Sequence, residues 1–277
     1  LIAAVTTDLE TQAERITIYR YDPRANPDLQ PLGEPLDLAG EPPLLALAFS
    51  QPYLITTHGD DDSGMVIVWD VATGMEAGRF ALLFAPTELI VDKTGSGAFV
   101  STQAAEGATN LLDLETMESV ASVPEHGALA LSLGQATSLG QLLIGDAEGA
   151  VTVYNVLADD AALPERVRSG RLERLGRVEV FPALDDVPVA VTALAVDPSG
   201  QLAAIGSGIF TMDDVPEDYT GRVAFLDLAT GLISAASLRD DSFGLFFALA
   251  FSADGQALIA GYGDHDSVPH IGIYGAG

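Results

Sequence analysis

The chain has 277 residues, 48% of them apolar, enough for two average domains or one large all-β domain. Only 19% are charged, yet 40 acids stand against 12 Lys and Arg for a net charge of −28. That balance excludes nucleic acid and anionic membrane surfaces, which draw their affinity from cationic side chains. The absence of cysteine excludes disulfides and thiolate metal sites, and no apolar run approaches the roughly 18–20 residues that span a bilayer.

Taken in chain order, the start at Leu1 without Met or a recognisable signal peptide reads as processed or truncated. It favours an exported protein over a cytoplasmic one. Residues 1–6 predict a small-residue apolar strand, and a second strand ends at Tyr19. Strands follow over 45–50, 53–57 and 66–69, the last running into Asp70-Val-Ala-Thr-Gly74. Asp and Thr-Gly after such a run make a tight hairpin, with Gly supplying the positive φ that other residues resist. The same order recurs over 89–95, 98–102 and 110–112, with Asp113-Leu-Glu-Thr-Met117 as a weaker copy of the turn. Residues 142–145 and the run ending at Tyr154 fill the same slots. Strands at 193–200 and 202–207 follow, then 223–226 with Asp227-Leu-Ala-Thr-Gly231, then 248–255, 257–262 and a run ending at Tyr274. Two insertions, 158–177 and 209–219, lengthen the spacing; the second carries Phe210, Met212 and Tyr219 beside four acids.

Six copies align on the slot before the outer turn: Tyr19, Trp69, Leu112, Tyr154, Leu226 and Tyr274. Their spacing is about 43 residues where nothing is inserted, the period of a four-stranded propeller blade. The recurring order of apolar strand, Asp-Gly-type turn and Trp69-Asp70 resembles the WD-repeat family over nearly the whole chain. The Gly-His pair of that family is missing, with His126-Gly127 the nearest. Its hairpin Asp is replaced by Glu106, Glu148 and Thr220. The resemblance implies an all-β, six-bladed propeller of four-stranded blades, seven being the alternative. With strands lettered a to d outward from the axis, the chain starts at a strand b and ends after a strand c. One outer and one inner strand are therefore expected to be missing, and an open edge is an aggregation hazard.

In such a ring the b–c and d–a loops share one face, and the a–b and c–d loops the other. About half of the 40 acids fall on the first face, with no Lys or Arg among them. Asp60, Asp61, Asp62, Asp213, Asp214, Asp218, Asp264 and Asp266 come from b–c loops, and Asp185 and Asp186 from a d–a loop. Arg166, Arg168, Arg171, Arg174 and Arg177 fall in the c–d insertion on the opposite face. A solvated rim that keeps an apolar protein in solution explains the acids plainly. The functional reading is a docking face for a basic protein partner. Head-to-tail self-association of the arginine insertion with the acidic face is a further expectation.

No cofactor is expected. The His/carboxylate clusters are His58 with Asp60 to Asp62, and Asp264-His265-Asp266 with His270; oxygen-rich loops of this kind leave Ca²⁺ open. Among propeller enzymes, lactonase-like hydrolases hold calcium in the channel with Asn and acids. Here Asn26, Asn110 and Asn155 lie on or near a strand c or its outer turn, and only Glu88 starts a channel-lining strand. The expectation is a non-catalytic interaction scaffold. A channel hydrolase and a calcium-stabilised assembly subunit are the alternatives.

Overall fold

The computed structural model describes residues 1–7, 14–24, 28–60, 63–92, 95–104, 108–124, 128–136, 139–156, 172–209, 220–236, 245–263 and 268–275. They form six antiparallel sheets, with no α-helix among the described residues. The first contains β1 (Ile2–Thr7), β2 (Glu14–Tyr21) and an outer strand split into β3 (Leu29–Pro31) and β4 (Leu36–Asp37). The split falls at residues 32–35, where the outer strand carries two residues more than β2 opposite and Gly33 takes φ +74°.

Four sheets are complete, each a meander from inner to outer strand. The second holds β5 (Leu44–Ser50), β6 (Tyr53–Gly59), β7 (Gly64–Asp70) and β8 (Glu76–Leu82). The third holds β9 (Pro86–Val91), β10 (Gly97–Thr102), β11 (Ala108–Asp113) and β12 (Glu118–Pro124). The fourth holds β13 (Ala130–Ala136), β14 (Gln141–Asp146), β15 (Ala150–Val156) and β16 (Leu172–Glu179). The fifth holds β17 (Ala190–Val196), β18 (Leu202–Gly208), β19 (Val223–Asp227) and β20 (Ile233–Ala236). The sixth has three strands, β21 (Leu245–Phe251), β22 (Ala257–Gly263) and β23 (Pro269–Gly275). This is a six-bladed β-propeller. The first blade lacks an inner strand and the last an outer one, the two gaps the repeat predicts.

Middle strands have neighbours on both faces, so they read as unbroken apolar or small-residue runs. All six residues of β10 are buried, as are six of the seven in β6. Five apolar clusters fill five junctions between blades. Ile18, Leu36, Leu54 and Trp69 join the first to the second, and Val66, Phe80, Leu89 and Val100 the second to the third. Phe99 and Leu142 join the third to the fourth, Leu143 and Ile205 the fourth to the fifth, Ala204 and Phe246 the fifth to the sixth. Burial of these side chains, worth roughly 25 cal/mol per Å² of apolar surface, holds neighbouring sheets together.

The outer turns are built as the sequence predicts. The Asp70 carboxylate accepts from the Thr73 N–H and hydroxyl, and Gly74 closes the turn at φ +69°. Asp227 and Gly231 repeat this arrangement. In the weaker copy Met117 takes the positive φ instead, at 57°.

Candidate interaction face

Each of the five inner strands among the described residues carries the same irregularity. Pairing with the second strand slips by one residue between Leu44 and Ala46, between Glu88 and Pro86, between Ala130 and Ser132, between Val191 and Ala193, and between Phe246 and Ala248. The residues left out of register are Leu45, Thr87, Leu131, Thr192 and Phe247. A bulge turns a side chain out of the alternation of its strand. All five of these residues line one recess of about 460 Å³ at the axis, with Pro86, Gln103, Ile209, Leu245 and Phe246. The bulges lie near the start of each inner strand, so the recess opens on the face of the b–c and d–a loops.

Hydroxyls tie one blade to the next around this mouth. Thr87 donates to the Ala130 carbonyl at 2.8 Å, Ser132 to the Val191 carbonyl at 3.1 Å, and Thr192 to the Phe246 carbonyl at 2.7 Å. Each accepting carbonyl belongs to the residue just before a bulge, so the ties meet backbone groups near the point where pairing slips.

Among the predicted rim residues, Asp185 and Asp186 are exposed on a tight turn closed by reciprocal hydrogen bonds between Leu184 and Val187. Both aspartates have positive φ, 48° and 67°, the conformation of a type I′ turn that Asn-Gly adopts with less strain. Asp60 caps its own hairpin, its carboxylate accepting from the Ser63 N–H and hydroxyl. Asp61, Asp62, Asp213, Asp214, Asp218, Asp264, Asp266, Arg166, Arg168 and Arg171 lie outside the described residues. Head-to-tail contact through the arginine insertion therefore has no described geometry.

Many solved structures are similar to this chain, two of them as follows. Hydrazine synthase of Kuenenia stuttgartiensis superposes with a TM-score of 0.67 at 16% identity, covering 93% of this chain and 72% of that one. The β-propeller domain of Myceliophteria thermophila Cps50 (Swd1) gives 0.52 at 12% identity, over 99% and 97%. The likeness is one of fold. No family model matches the sequence, and no curated protein does.

The expectation of an acidic face without Arg is corrected by the propeller's outer strands. Arg177 belongs to β16, and its guanidinium reaches the b–c hairpin, 2.9 Å from both Asp146 and Glu148. Arg79 of β8 binds Glu41 of a d–a loop at 2.8 Å and Glu76 at 2.7 Å. The Arg79 hydrogen bond holds the Glu41 carboxyl below its ordinary range. Arg222 immediately precedes β19, within a b–c loop, and lines a small cleft with Phe181 and Leu184. Arginines on an outer strand lie along the sheet and deliver their charge well away from their Cα. Arg174, expected in the insertion, is in β16 opposite Tyr154. Among the described residues, three arginines thus lie on or reach the loops of this face.

His58 also departs from expectation. It is fully buried in β6, with Nδ1 3.0 Å from the Pro42 carbonyl and Nε2 2.9 Å from the Thr56 hydroxyl. The Trp69 indole donates to that same hydroxyl at 2.9 Å. Burial lowers the His58 pKa and favours the neutral ring. A hydrogen-bonded chain of His58, Thr56 and Trp69 therefore braces this blade, and both ring nitrogens of His58 are engaged within it. Among the described residues no group of three His, Cys, Asp or Glu is placed to hold a metal. Glu88 pairs with Ser101, which places it on the side of its sheet bearing the Ser101–Thr109 hydroxyl pair, and burial raises its pKa. Sequence reasoning missed the bulged residues, which stand second or third in their inner strands and share no single residue type.

Proposed function

We propose that this propeller is a degenerate WD-repeat-like scaffold without catalytic activity, docking a basic protein partner on its acidic face. The partner places an apolar side chain in the central recess while its cations meet the rim. The observation that supports this reading is the bulge ring, with five side chains from five blades lining one recess at the axis. An apolar anchor inside a polar rim is the usual anatomy of a protein interface. Asp185 and Asp186 fit the reading, because both carboxylates are held outward in a conformation that favours other residues.

The test is affinity capture from the source organism at low and high salt, using the native chain and a Leu45→Ser/Phe247→Ser variant. Both residues are exposed, so the variant keeps its melting temperature. A basic protein retained at low salt, lost at high salt and lost with the variant is expected. A captured set indifferent to both salt and variant overturns the proposal.

A further inference from the structure

Residues 38–44 carry the chain from the first blade to the inner strand of the second, and three ionisable side chains from three strands hold them. Glu14 of β2 accepts from the Leu44 N–H at 2.9 Å. His58 of β6 stands 3.0 Å from the Pro42 carbonyl through Nδ1. Arg79 of β8 binds both Glu41 oxygens, at 2.9 and 2.8 Å. The connections into the third, fourth and fifth blades are tied through backbone groups. There the Gln103 N–H meets the Ala85 carbonyl, the Ala147 N–H the Leu129 carbonyl, and the Phe181 N–H the Gly149 carbonyl. Pairing of β5 with β6 slips just after Leu44, and Leu45 lines the recess, so the tied stretch ends where the mouth begins.

The tautomer of His58 is fixed by its partners. A carbonyl only accepts, so Nδ1 carries the proton, and Nε2 of the neutral ring accepts from the Thr56 hydroxyl. That hydroxyl in turn accepts from the Trp69 indole. A second proton, on Nε2, sets two donors against each other. The Thr56 hydroxyl must then turn to the Ile67 carbonyl, 3.4 Å away, and the ring becomes a buried cation. The charged groups facing it are Glu14, Glu41 and Arg79. Glu14 is engaged with Leu44 and Glu41 with Arg79, whose own charge opposes an imidazolium. We propose that residues 38–44 form an acid-released clasp, in which protonation of His58 frees the Pro42 carbonyl and loosens the start of the strand that carries Leu45. The clasp stands without any partner; that its release weakens docking rests on the docking role of the recess. Burial lowers the His58 pKa, so the clasp is complete above the ordinary imidazole value of 6.5 and is lost as pH falls below it. The Arg79 bond holds Glu41 below its ordinary 4.5, so that pair persists through the same window.

Amide exchange of residues 38–46 and the emission of Trp69, the single tryptophan, test this between about pH 7.5 and about pH 5. Protection, corrected for the intrinsic rate at each pH, is expected to fall tenfold or more across 38–46 while β14 keeps its own. Trp69 emission shifts over the same range. Both changes vanish in a His58→Gln variant, whose carboxamide offers a donor and an acceptor without titrating. Should the variant not fold, NMR of the native chain decides, the His58 ring protons titrating with the midpoint of the amide change. The proposal is overturned if residues 38–46 stay protected after the ring has titrated, or if the variant loses protection in the same way. A basic partner retained equally at both pH values, with the amides released, would instead overturn the docking role of the recess and leave the clasp in place.

Discussion

Glu88 illustrates how burial alone changes what a side chain contributes. The Leu89 N–H donates to its carboxylate, but desolvation outweighs that hydrogen bond and raises the pKa. Below pH 4.5 folded and unfolded chains both carry the proton, so the group is neutral to stability. As pH rises between that value and the raised one, the unfolded chain releases its proton first and stability falls; above both, the penalty is constant. Glu88→Gln is therefore expected to be more stable than the native chain at neutral pH and equal to it in acid, read from urea midpoints across pH. Equal midpoints at neutral pH would show that the carboxylate is solvated. Neither this burial nor that of His58 was legible in the sequence, where both residues stand beside polar neighbours. For His58 the environment is made by Pro42, Thr56 and Trp69, which only strand pairing brings together.

At the scale of the element, turns and strands were largely legible because each is fixed by local chemistry. Asp70 to Gly74 and Asp227 to Gly231 form the hairpins their residues require. The inner strand β13 is poorly marked in the sequence: its Ser132, Gly134 and Gln135 dilute the apolar run, and the turn after it lacks the aspartate found after β9, β17 and β21. The slip beside Leu45, Thr87, Leu131, Thr192 and Phe247 was illegible, since a bulge is a property of paired strands and leaves only a faint trace in either one. The Asp185–Asp186 turn gives a further test. Asp185→Asn with Asp186→Gly relieves two positive-φ aspartates and should raise stability by about 0.5–1 kcal/mol, seen as a higher urea midpoint at unchanged slope. Weaker partner retention in the same variant would separate the binding role of these carboxylates from their structural cost.

For the molecule as a whole, composition announced the acidic balance but not its distribution. Spacing assigns a loop to a face, whereas the reach of Arg79 and Arg177 depends on where a long side chain ends. A net charge of −28 opposes the compact state by self-repulsion. Raising salt from about 20 to about 300 mM shortens the screening length to well under ~10 Å and should raise the melting temperature by several degrees. A fall instead would mean that the Arg79 and Arg177 pairs outweigh the repulsion.

The hydroxyl ties of Thr87, Ser132 and Thr192 end on main-chain carbonyls, and the bulges they accompany are set by strand pairing. The diameter of the mouth is thus fixed beneath the loops. Residues of the hairpins can be exchanged, lengthened or recharged without reshaping the socket they surround. A lineage of such chains would be free to change its clientele by rewriting the collar alone.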